Sequence, residues 1–256
     1  MLAKRVIACL DCDIARGEAR VVKGVQFKKL SFAGKPWELA ERYYEQNIDE
    51  ICFLDISASL EKRQTMADVL RRTSKRVFVP LTVGGGIKSR EDARGLFRAG
   101  ADKVAVNTAA LERPELVGEI AGMFGTQAVV VAIDAKKQSK EKWGCFAYGG
   151  RKATGIDAIE WAKKVEKLGA GEILLTSMDR DGTKQGFDIE LTRRVSEGVN
   201  IPIIASGGAG DLQSIADVLI LGKADAVLAA SIFHYKKFTV KQVKEFLEKK
   251  GVEVRI

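Results

Sequence analysis

Two aspartates end apolar, β-branched runs of the chain: Asp11 follows VIACL and Asp134 follows VVVAI. The single histidine, His234, lies in SIFHYKKF beside no acidic residue and no nucleophile motif, which argues against a Ser-His-Asp triad or a histidine relay. Two carboxylates can divide acid and base roles when their surroundings raise the pKa of one of them. We therefore predict Asp11 and Asp134 as catalytic residues. The alternative is that each caps a following loop or helix.

Glycines and small polar residues follow other β-branched runs and suit anion binding. Glycine-rich turns let backbone N–H groups approach an anion because no Cβ intervenes, and residues at strand ends can complete the site. The candidate positions are Gly85, Gly86, Asn107, Thr108, Gly207, Gly208, Ala230 and Ser231. They form two groups along the chain, so we predict two phosphate sites and a substrate with a phosphate at each end. Tight turns without a ligand are the alternative.

The elements that must position these residues alternate along the whole chain. Short β-branched runs predict strands over Arg5–Asp11, Glu50–Ile56, Val77–Val83, Lys103–Asn107, Ala128–Asp134, Glu172–Ser177, Ile201–Ser206 and Ala226–Ala230. Amphipathic stretches predict helices over Pro36–Gln46, Met66–Ser74, Ser89–Arg98, Pro114–Phe124, Asp157–Leu168, Asp188–Ser196, Leu212–Leu221 and Val240–Lys249. Eight strands, each followed by a helix, are typical of an α/β fold, the (β/α)8 or TIM barrel, whose ligands bind at the carboxyl ends of the strands. A doubly wound open sheet is the competing topology.

An internal repeat favours the barrel over the open sheet. Asp11 matches Asp134, and VPLTVGGGI matches IPIIASGGA at nearly the same offset, so that Thr108 corresponds to Ser231. We predict one domain over residues 1–256, built from two repeated half-barrels of about 1–123 and 124–256. Closing a doubled half into a ring removes both open sheet edges.

Charged residues occupy the opposite ends of several predicted strands. Because side chains alternate along a strand, Arg5 lies on the same face as Asp11. In the same way, Lys103 and Glu172 each lie on the same face as the polar residue at the carboxyl end of their own strand. The repeat adds Glu50 as the counterpart of Glu172. If these faces point inward, two positive and two negative side chains ring the barrel floor and form a polar gate. Buried charges must pair to be tolerated, and a surface network at the strand starts is the alternative.

The segment from Cys12 to Gly34 is too long for an ordinary βα loop and is rich in basic residues. Loops of this length in a compact domain are usually lids or binding loops. Lys23, in RVVKG, could contact a phosphate or the reacting centre. A solvated basic loop is the alternative.

Composition narrows the classes of protein. The chain has 256 residues, 46% of them hydrophobic, and a net charge of +8, which suits an anionic ligand. Because the basic residues are dispersed, nucleic acid is not an expected partner.

No apolar run is long enough to span a bilayer and no signal peptide is recognisable, so we expect a cytoplasmic protein without membrane contact. The four cysteines include a C-x-x-C at Cys9 and Cys12 that lacks the partners of a zinc site, so we predict no metal and buried thiols.

Ten segments, spread in order over nearly the whole chain, carry a resemblance to a known family. They are ACLD, RVVKG, FLDISAS, TVGGGI, GADKVAVNTAA, VVVAIDAK, GGRKATG, GAGEILLTSMDRDGT, IPIIASGGAG and LAASIFH. Together they resemble the cyclase subunits of imidazole glycerol phosphate synthases, lyases of histidine biosynthesis. The resemblance implies ammonia-dependent conversion of a bisphosphorylated ribulosyl-formimino-aminoimidazole carboxamide ribonucleotide (PRFAR) into imidazole glycerol phosphate and aminoimidazole carboxamide ribotide (AICAR), with no cofactor.

The resemblance also implies roles for individual positions. The family's catalytic aspartates correspond to Asp11 and Asp134, and its loop lysine corresponds to Lys23. Its phosphate-binding positions correspond to Gly86, Asn107, Thr108, Asp181, Gly182, Gly208, Ala230 and Ser231, and Gly85, Thr176, Ser206 and Gly207 complete the predicted substrate-binding set. Asp181 is interpreted as a hydroxyl-binding or loop-fixing residue, with Gly182 supplying a backbone amide.

The family further implies a glutaminase partner docked at the bottom face of the barrel. Its ammonia passes through the barrel core, and the gate charges correspond to Arg5, Glu50, Lys103 and Glu172. One departure is the first loop, CDIARGEARVVKG, which is longer than the family's usual spacing between aspartate and lysine. Two rival functions stay open: the sister phosphoribosyl-formimino isomerase of the pathway, and a non-catalytic phosphosugar-binding activator of a glutaminase.

Overall fold

The computed structural model describes residues 2–15, 18–25, 28–56 and 60–256, and of residues 15, 18, 23–25, 28–31 and 60–64 the backbone only. The strands are Arg5–Ala15 (β1), Glu18–Val25 (β2), Lys28–Gly34 (β3), Glu50–Asp55 (β4), Leu81–Gly84 (β5), Lys103–Val106 (β6), Val129–Ser139 (β7), Lys142–Ala147 (β8), Lys152–Asp157 (β9), Glu172–Ser177 (β10), Ile203–Ser206 (β11) and Ala226–Ala229 (β12). The α-helices are Pro36–Tyr44 (α1), Leu60–Thr73 (α2), Arg90–Ala99 (α3), Thr108–Glu112 (α4), Glu115–Phe124 (α5), Ala158–Lys167 (α6), Ile189–Gly198 (α7), Leu212–Ile220 (α8), Ser231–His234 (α9) and Val240–Lys249 (α10).

Eight parallel strands close into a barrel with helices between them. Their order around the ring is β1, β4, β5, β6, β7, β10, β11 and β12, and β12 pairs again with β1. The chain is therefore a (β/α)8 or TIM barrel, as the alternation of elements predicts, and the open-sheet alternative is wrong. All carboxyl ends of the eight strands meet at one end, the mouth, and their amino ends meet at the other, the floor.

Two predicted strands start later than the β-branched runs indicate. The strands predicted from Val77 and Ile201 begin at Leu81 and Ile203, directly after Pro80 and Pro202. Proline has no backbone N–H to donate to a ladder, so regular pairing begins only beyond it. Both proline carbonyls still accept hydrogen bonds, from Ile51 and Ile173 of the neighbouring strands, which keeps the segments in line with the barrel.

Two antiparallel extensions rise above the mouth, and neither is predicted as strand. β1 continues through β2 and β3, and β7 continues through β8 and β9. The segment from Cys12 to Gly34, expected as a loop, is thus mostly strand. Alternation explains its inner part, because Ala19 and Val21 are buried while Arg20 between them is exposed.

The apolar core has two layers. The larger one lies between the outer faces of the strands and the helices, and the smaller one fills the barrel interior. Interior positions alternate along each strand; they include Ile7, Cys9, Cys52, Ala105, Val130, Leu174, Ile204, Ala226 and Leu228. Several of these side chains are small, so the interior between floor and mouth is lined by methyl and thiol groups.

Aspartates anchor the strand starts in the same way in both halves of the chain. The Asp102 carboxylate accepts a hydrogen bond from the Leu81 N–H at 2.8 Å, and the Asp225 carboxylate accepts one from the Ile203 N–H at 3.1 Å. Each bond joins the start of one strand to the turn that precedes the next strand of the ring. Among the described residues, no helix combines the length and apolar character needed to cross a bilayer.

Candidate active site

Asp11 and Asp134 face each other across the barrel mouth. Asp11 lies on β1 and Asp134 on β7, with three strands between them on either side of the ring. Period-two alternation from interior residues Cys9 and Val130 turns both carboxylates inward. Both strands run on past their aspartate, to Ala15 and Ser139, so neither aspartate caps a helix.

The surroundings of Asp134 favour its protonated form. Burial, followed by the nearby negative charge of Asp181, raises the pKa of the Asp134 carboxyl to about 6, although a hydrogen bond from Asn107 acts in the opposite direction. The Asn107 Nδ2 donates to Asp134 Oδ2 at 2.9 Å. A carboxyl that titrates near pH 6 can both donate and accept a proton near neutrality, as an acid/base catalyst must.

Asp11 has different neighbours. It is 7% exposed, and the Cys9 thiol, two residues earlier on the same face of β1, donates to Asp11 Oδ1 at 3.4 Å. The sequence did not suggest this contact, because the cysteine was interpreted only as a small apolar residue. The only feature of the sequence that indicates this contact is the spacing of Cys9 and Asp11, two residues apart on one strand and therefore on one face.

Asn107 is oriented by Asp134. Since its amide nitrogen donates to the carboxylate, its oxygen Oδ1 points elsewhere, and in the described part of the chain that buried oxygen has no hydrogen-bond partner. A buried unpaired acceptor is costly, so the arrangement favours a ligand with a hydroxyl or N–H donor at this point. A phosphate oxygen, which only accepts, would have to contact an N–H of Asn107 instead, either in the backbone or the second one on Nδ2.

Polar residues continue from Asp134 around one side of the mouth. In the ladder, Asp134 is the direct neighbour of Thr176, and Thr176 is the direct neighbour of Ser206. All three are partly exposed at the mouth. Asp181 and Gly182 follow in the loop after β10, close enough for Asp181 to affect the pKa of Asp134. The structure thus brings five of the predicted residues to one side of the site.

The predicted glycines sit in turns that themselves require glycine. Gly85 follows β5 with φ +104°, and a Cβ there would lie 2.3 Å from the carbonyl oxygen of Asp55. Gly208 follows β11 with φ +105°, and a Cβ would lie 2.2 Å from the carbonyl oxygen of Gly186. Close backbone packing therefore explains these two residues without a ligand. Positive φ values are shared by Gly86, Gly182 and Gly207.

Thr108 and Ser231 are the first residues of the short helices α4 and α9, which follow Asn107 and Ala230 at the ends of β6 and β12. The Thr108 hydroxyl accepts a hydrogen bond from the Tyr148 N–H at 2.8 Å. Because the oxygen already accepts this bond, the hydroxyl proton is available to a ligand. Tyr148 lies between β8 and β9, and sequence reasoning missed it because the contact spans forty residues.

Lys23 lies within β2, which pairs with both β1 and β3. Its side chain lies outside the described residues, so the prediction that it contacts substrate stays a prediction.

Four charged side chains form a closed ring of ion pairs at the floor. Arg5 Nη1 lies 2.9 Å from Glu50 Oε2 and 2.9 Å from Glu172 Oε1. Lys103 Nζ lies 2.9 Å from Glu50 Oε2 and 3.0 Å from Glu172 Oε2. These residues are the first of β1, β4, β6 and β10, and their side chains are between 1% and 18% exposed. The structure thus joins all four predicted gate positions into one network with no net charge.

Thr82 is a fifth member of the floor network. Its hydroxyl donates to Glu50 Oε1 at 2.5 Å, and the residue is 2% exposed. Thr82 is not among the predicted residues, although alternation along β5 puts it on the same face as Gly84.

No group of three or more histidine, cysteine, aspartate or glutamate side chains suited to a metal ion occurs among the described residues. The chemistry that the described site offers is acid and base transfer by carboxylates, together with hydrogen bonding by the amide and hydroxyl groups around them.

The model of the family described as histidine biosynthesis protein matches residues 5–239. The match runs from the first residue of β1 to the N-cap of α10, and so includes the whole barrel, both mouth aspartates and the four floor charges. This family covers the isomerase and the cyclase of the pathway. The chain therefore belongs to the histidine biosynthesis protein family and is a histidine biosynthesis enzyme of the isomerase and cyclase class.

Proposed function

We propose that this chain is the cyclase of the pathway, a lyase that uses ammonia to convert PRFAR into imidazole glycerol phosphate and AICAR. The observation that carries the proposal is the ring of Arg5, Glu50, Lys103 and Glu172 at the floor, below an interior in which alanine and cysteine side chains alternate with branched aliphatic ones. Barrel interiors are normally filled by branched aliphatic residues, and a buried charge network costs stability relative to them. An isomerase, which needs no second reactant from below, has no use for such a floor.

At the mouth, Asp134 and Asp11 serve as acid and base. With a pKa of about 6, Asp134 retains part of its proton near neutrality and can return it after each cycle. Asp11, across the mouth, accepts protons as ammonia adds to the substrate and the imidazole ring closes. Asn107 positions a donor group of the substrate through its unpaired Oδ1. The two groups of turn and strand-end residues, on opposite sides, hold the two phosphates.

A glutaminase is proposed as the partner at the floor. Leu2 precedes β1, Phe78 precedes β5, and the C-terminal residue Ile256 lies near the strand starts because Val254 pairs with Lys4. The three apolar side chains are 92%, 75% and 64% exposed. Exposed apolar side chains clustered around a polar opening are typical of a protein interface.

A cleft of about 260 Å³ lies beside Phe78 and Ile256 and is proposed to receive a side chain of the partner. It is lined by Tyr44, Asn47, Ile48, Asp49, Phe78, Val79, Pro80, Lys244, Arg255 and Ile256. Its charged members are already paired: Lys244 and Arg255 both contact Asp49, at 2.8 and 3.4 Å. The remaining lining favours an apolar or aromatic residue.

The test uses the purified chain with two substrates in parallel. PRFAR with an ammonium salt at alkaline pH should give imidazole glycerol phosphate and AICAR, whereas the aminoaldose substrate of the isomerase should stay unchanged. Conversion of the aminoaldose without any imidazole product would make the chain the isomerase and refute the proposal. If neither substrate reacts while PRFAR still stimulates an added glutaminase, the non-catalytic alternative holds.

A further inference from the structure

Two cysteines lie side by side inside the barrel. Cys9 of β1 and Cys52 of β4 are direct partners in the parallel ladder, and both belong to the interior cluster. They are 3% and 2% exposed, and both are reduced thiols. The two sulfurs therefore project into the same space. Asp11 is the next inward-facing residue of β1 toward the mouth.

We propose that Cys9 and Cys52 form a dithiol site that a small peroxide oxidises to a disulfide across the barrel interior. Neighbouring strands are about 4.7–4.9 Å apart, and disulfides bridge Cα atoms about 4.4–6.8 Å apart, so the pair is within reach without movement of the backbone. Side chains that stand parallel on adjacent strands hold their Cβ atoms at about the strand spacing, wider than disulfides prefer. The bond is therefore strained and readily reduced again.

The other two cysteines cannot replace either member. Cys12 lies on the opposite face of β1, in the outer core layer, and three residues of strand separate its Cα from that of Cys9 by roughly 10 Å, beyond the reach of a disulfide. Cys145 lies on β8, above the mouth.

Asp11 supplies the base that the first step needs, since the Cys9 thiol donates to Asp11 Oδ1 at 3.4 Å. The Cys9 proton passes to Asp11, the thiolate sulfur attacks one peroxide oxygen, and the O–O bond breaks to give a sulfenic acid and hydroxide. The Cys52 sulfur then displaces the sulfenic hydroxyl, forming the S–S bond. With the protons returned, two thiols and one hydrogen peroxide become one disulfide and two water molecules. Because both thiols are almost fully buried, the site favours a reactant as small as hydrogen peroxide over a bulky disulfide.

Oxidation also changes the mouth, a consequence that rests on the proposed function. The disulfide removes the thiol proton from Asp11 and joins two strands across the proposed ammonia path. We expect ammonia-dependent turnover to fall at least tenfold in peroxide and to return after treatment with dithiothreitol.

The main experiment reads the covalent bond and does not depend on activity. The full chain, with and without hydrogen peroxide, is denatured, alkylated with iodoacetamide, digested with trypsin and analysed by mass spectrometry. The expected product is the peptide 6–16 joined to the peptide 43–62, about 2 Da lighter than their sum, with two of four thiols protected from alkylation. Fragmentation between Cys9 and Cys12 assigns the bond.

Variants separate this pair from the other thiols. Cys52→Val and Cys52→Ser should keep basal turnover and form no linked peptide, because the Cys9 sulfenic acid then has no thiol to resolve it, whereas Cys12→Ser and Cys145→Ser should form the link as the wild type does. The proposal is overturned if peroxide leaves all four thiols alkylatable, if the bond joins Cys12, or if Cys9 is converted to a sulfinic acid without a link. If the linked peptide forms in a chain without cyclase activity, the dithiol site stands and only the proposed function fails.

Discussion

The mouth and the floor of the barrel both place carboxylates on inward-facing positions, but the carboxylates have opposite kinds of partners. At the floor, Glu50 and Glu172 each contact both Arg5 and Lys103, so the charges cancel. At the mouth, burial and then the nearby carboxylate of Asp181 raise the pKa of Asp134 to about 6, although the hydrogen bond from the Asn107 amide lowers it. The partners, and not the residue type, decide whether a buried carboxylate serves a fixed structure or transfers protons.

The largest expected effect comes from the mouth carboxylates. Asp11→Asn and Asp134→Asn each keep the shape of the side chain but remove proton transfer, which typically contributes a factor of about 10² to 10⁴ in rate. We expect ammonia-dependent turnover to fall by at least about 100-fold in each variant, measured by formation of imidazole glycerol phosphate. Asp68→Asn, at an exposed position of α2, is the matched control and should be unchanged. Near-normal turnover in either mouth variant would refute the carboxylate mechanism.

At the floor, removing one carboxylate should reduce stability instead. Glu50→Gln takes one partner from both Arg5 and Lys103 while the cations stay largely buried, so we expect a loss of about 3 kcal/mol in the free energy of unfolding. Urea denaturation at neutral pH measures it. Glu197→Gln breaks a solvent-exposed pair with Lys223 and should change the unfolding free energy far less. Equal losses in the two variants would mean that the floor ring behaves like a surface network.

At the mouth, by contrast, replacing a carboxylate by an amide should increase the free energy of unfolding, by an amount that depends on pH. Between its ordinary value of 3.8 and about 6, Asp134 binds a proton more tightly in the folded chain than in the unfolded one, so wild-type stability falls as the pH rises through this window. Asp134→Asn has no such penalty. We expect it to be more stable than the wild type by up to ~3 kcal/mol above pH 7, since each pKa unit corresponds to about 1.4 kcal/mol.

The test is urea denaturation of both proteins at several pH values from 4 to 8. The difference in unfolding free energy should be smallest at pH 4, where the carboxyl is protonated in the folded chain and partly protonated in the unfolded one, and should reach its plateau above pH 7. A difference that does not vary with pH would show that the Asp134 carboxyl titrates alike in the folded and unfolded chain.

The smallest effect concerns Thr82, whose hydroxyl donates to the floor residue Glu50. Thr82→Val keeps the shape and removes this bond to a charged acceptor, at an expected cost of about 1.5 kcal/mol in thermal or urea unfolding. Thr73→Val is the control, because the equally buried Thr73 hydroxyl donates only to the Val69 carbonyl of its own helix. The Thr73 variant should lose less; the reverse order would remove Thr82 from the floor network.

What the sequence predicts well here is what depends on period and order. Alternation placed Arg5 and Asp11 on one face of one strand, and the succession of strands and helices predicted the closed barrel. When the first residues of several barrel strands point inward, their side chains meet in a ring at the floor. These features depend on residues that are regularly spaced, so they are readable without coordinates.

What the sequence does not reveal depends on contacts between distant segments. The extension β8–β9 carries Tyr148 to Thr108, and no local pattern indicates that meeting. Close backbone packing requires glycine at Gly85 and Gly208 whether or not a phosphate binds there, and no local pattern shows these contacts. The pairing of Cys9 with Cys52 needs the register of two strands, which only the assembled barrel fixes.

The central claim is that ammonia enters through the floor and reacts at the mouth, and an isotope measurement tests it most directly. The chain is combined with the glutaminase subunit of its own organism, PRFAR, glutamine labelled with ¹⁵N in the side-chain amide, and excess unlabelled ammonium. Mass spectrometry of imidazole glycerol phosphate gives the fraction of labelled nitrogen. We predict that the product is mostly labelled in the wild type and loses the label in Glu50→Gln. Product labelled no more than the bulk ammonium in the wild type would contradict the account.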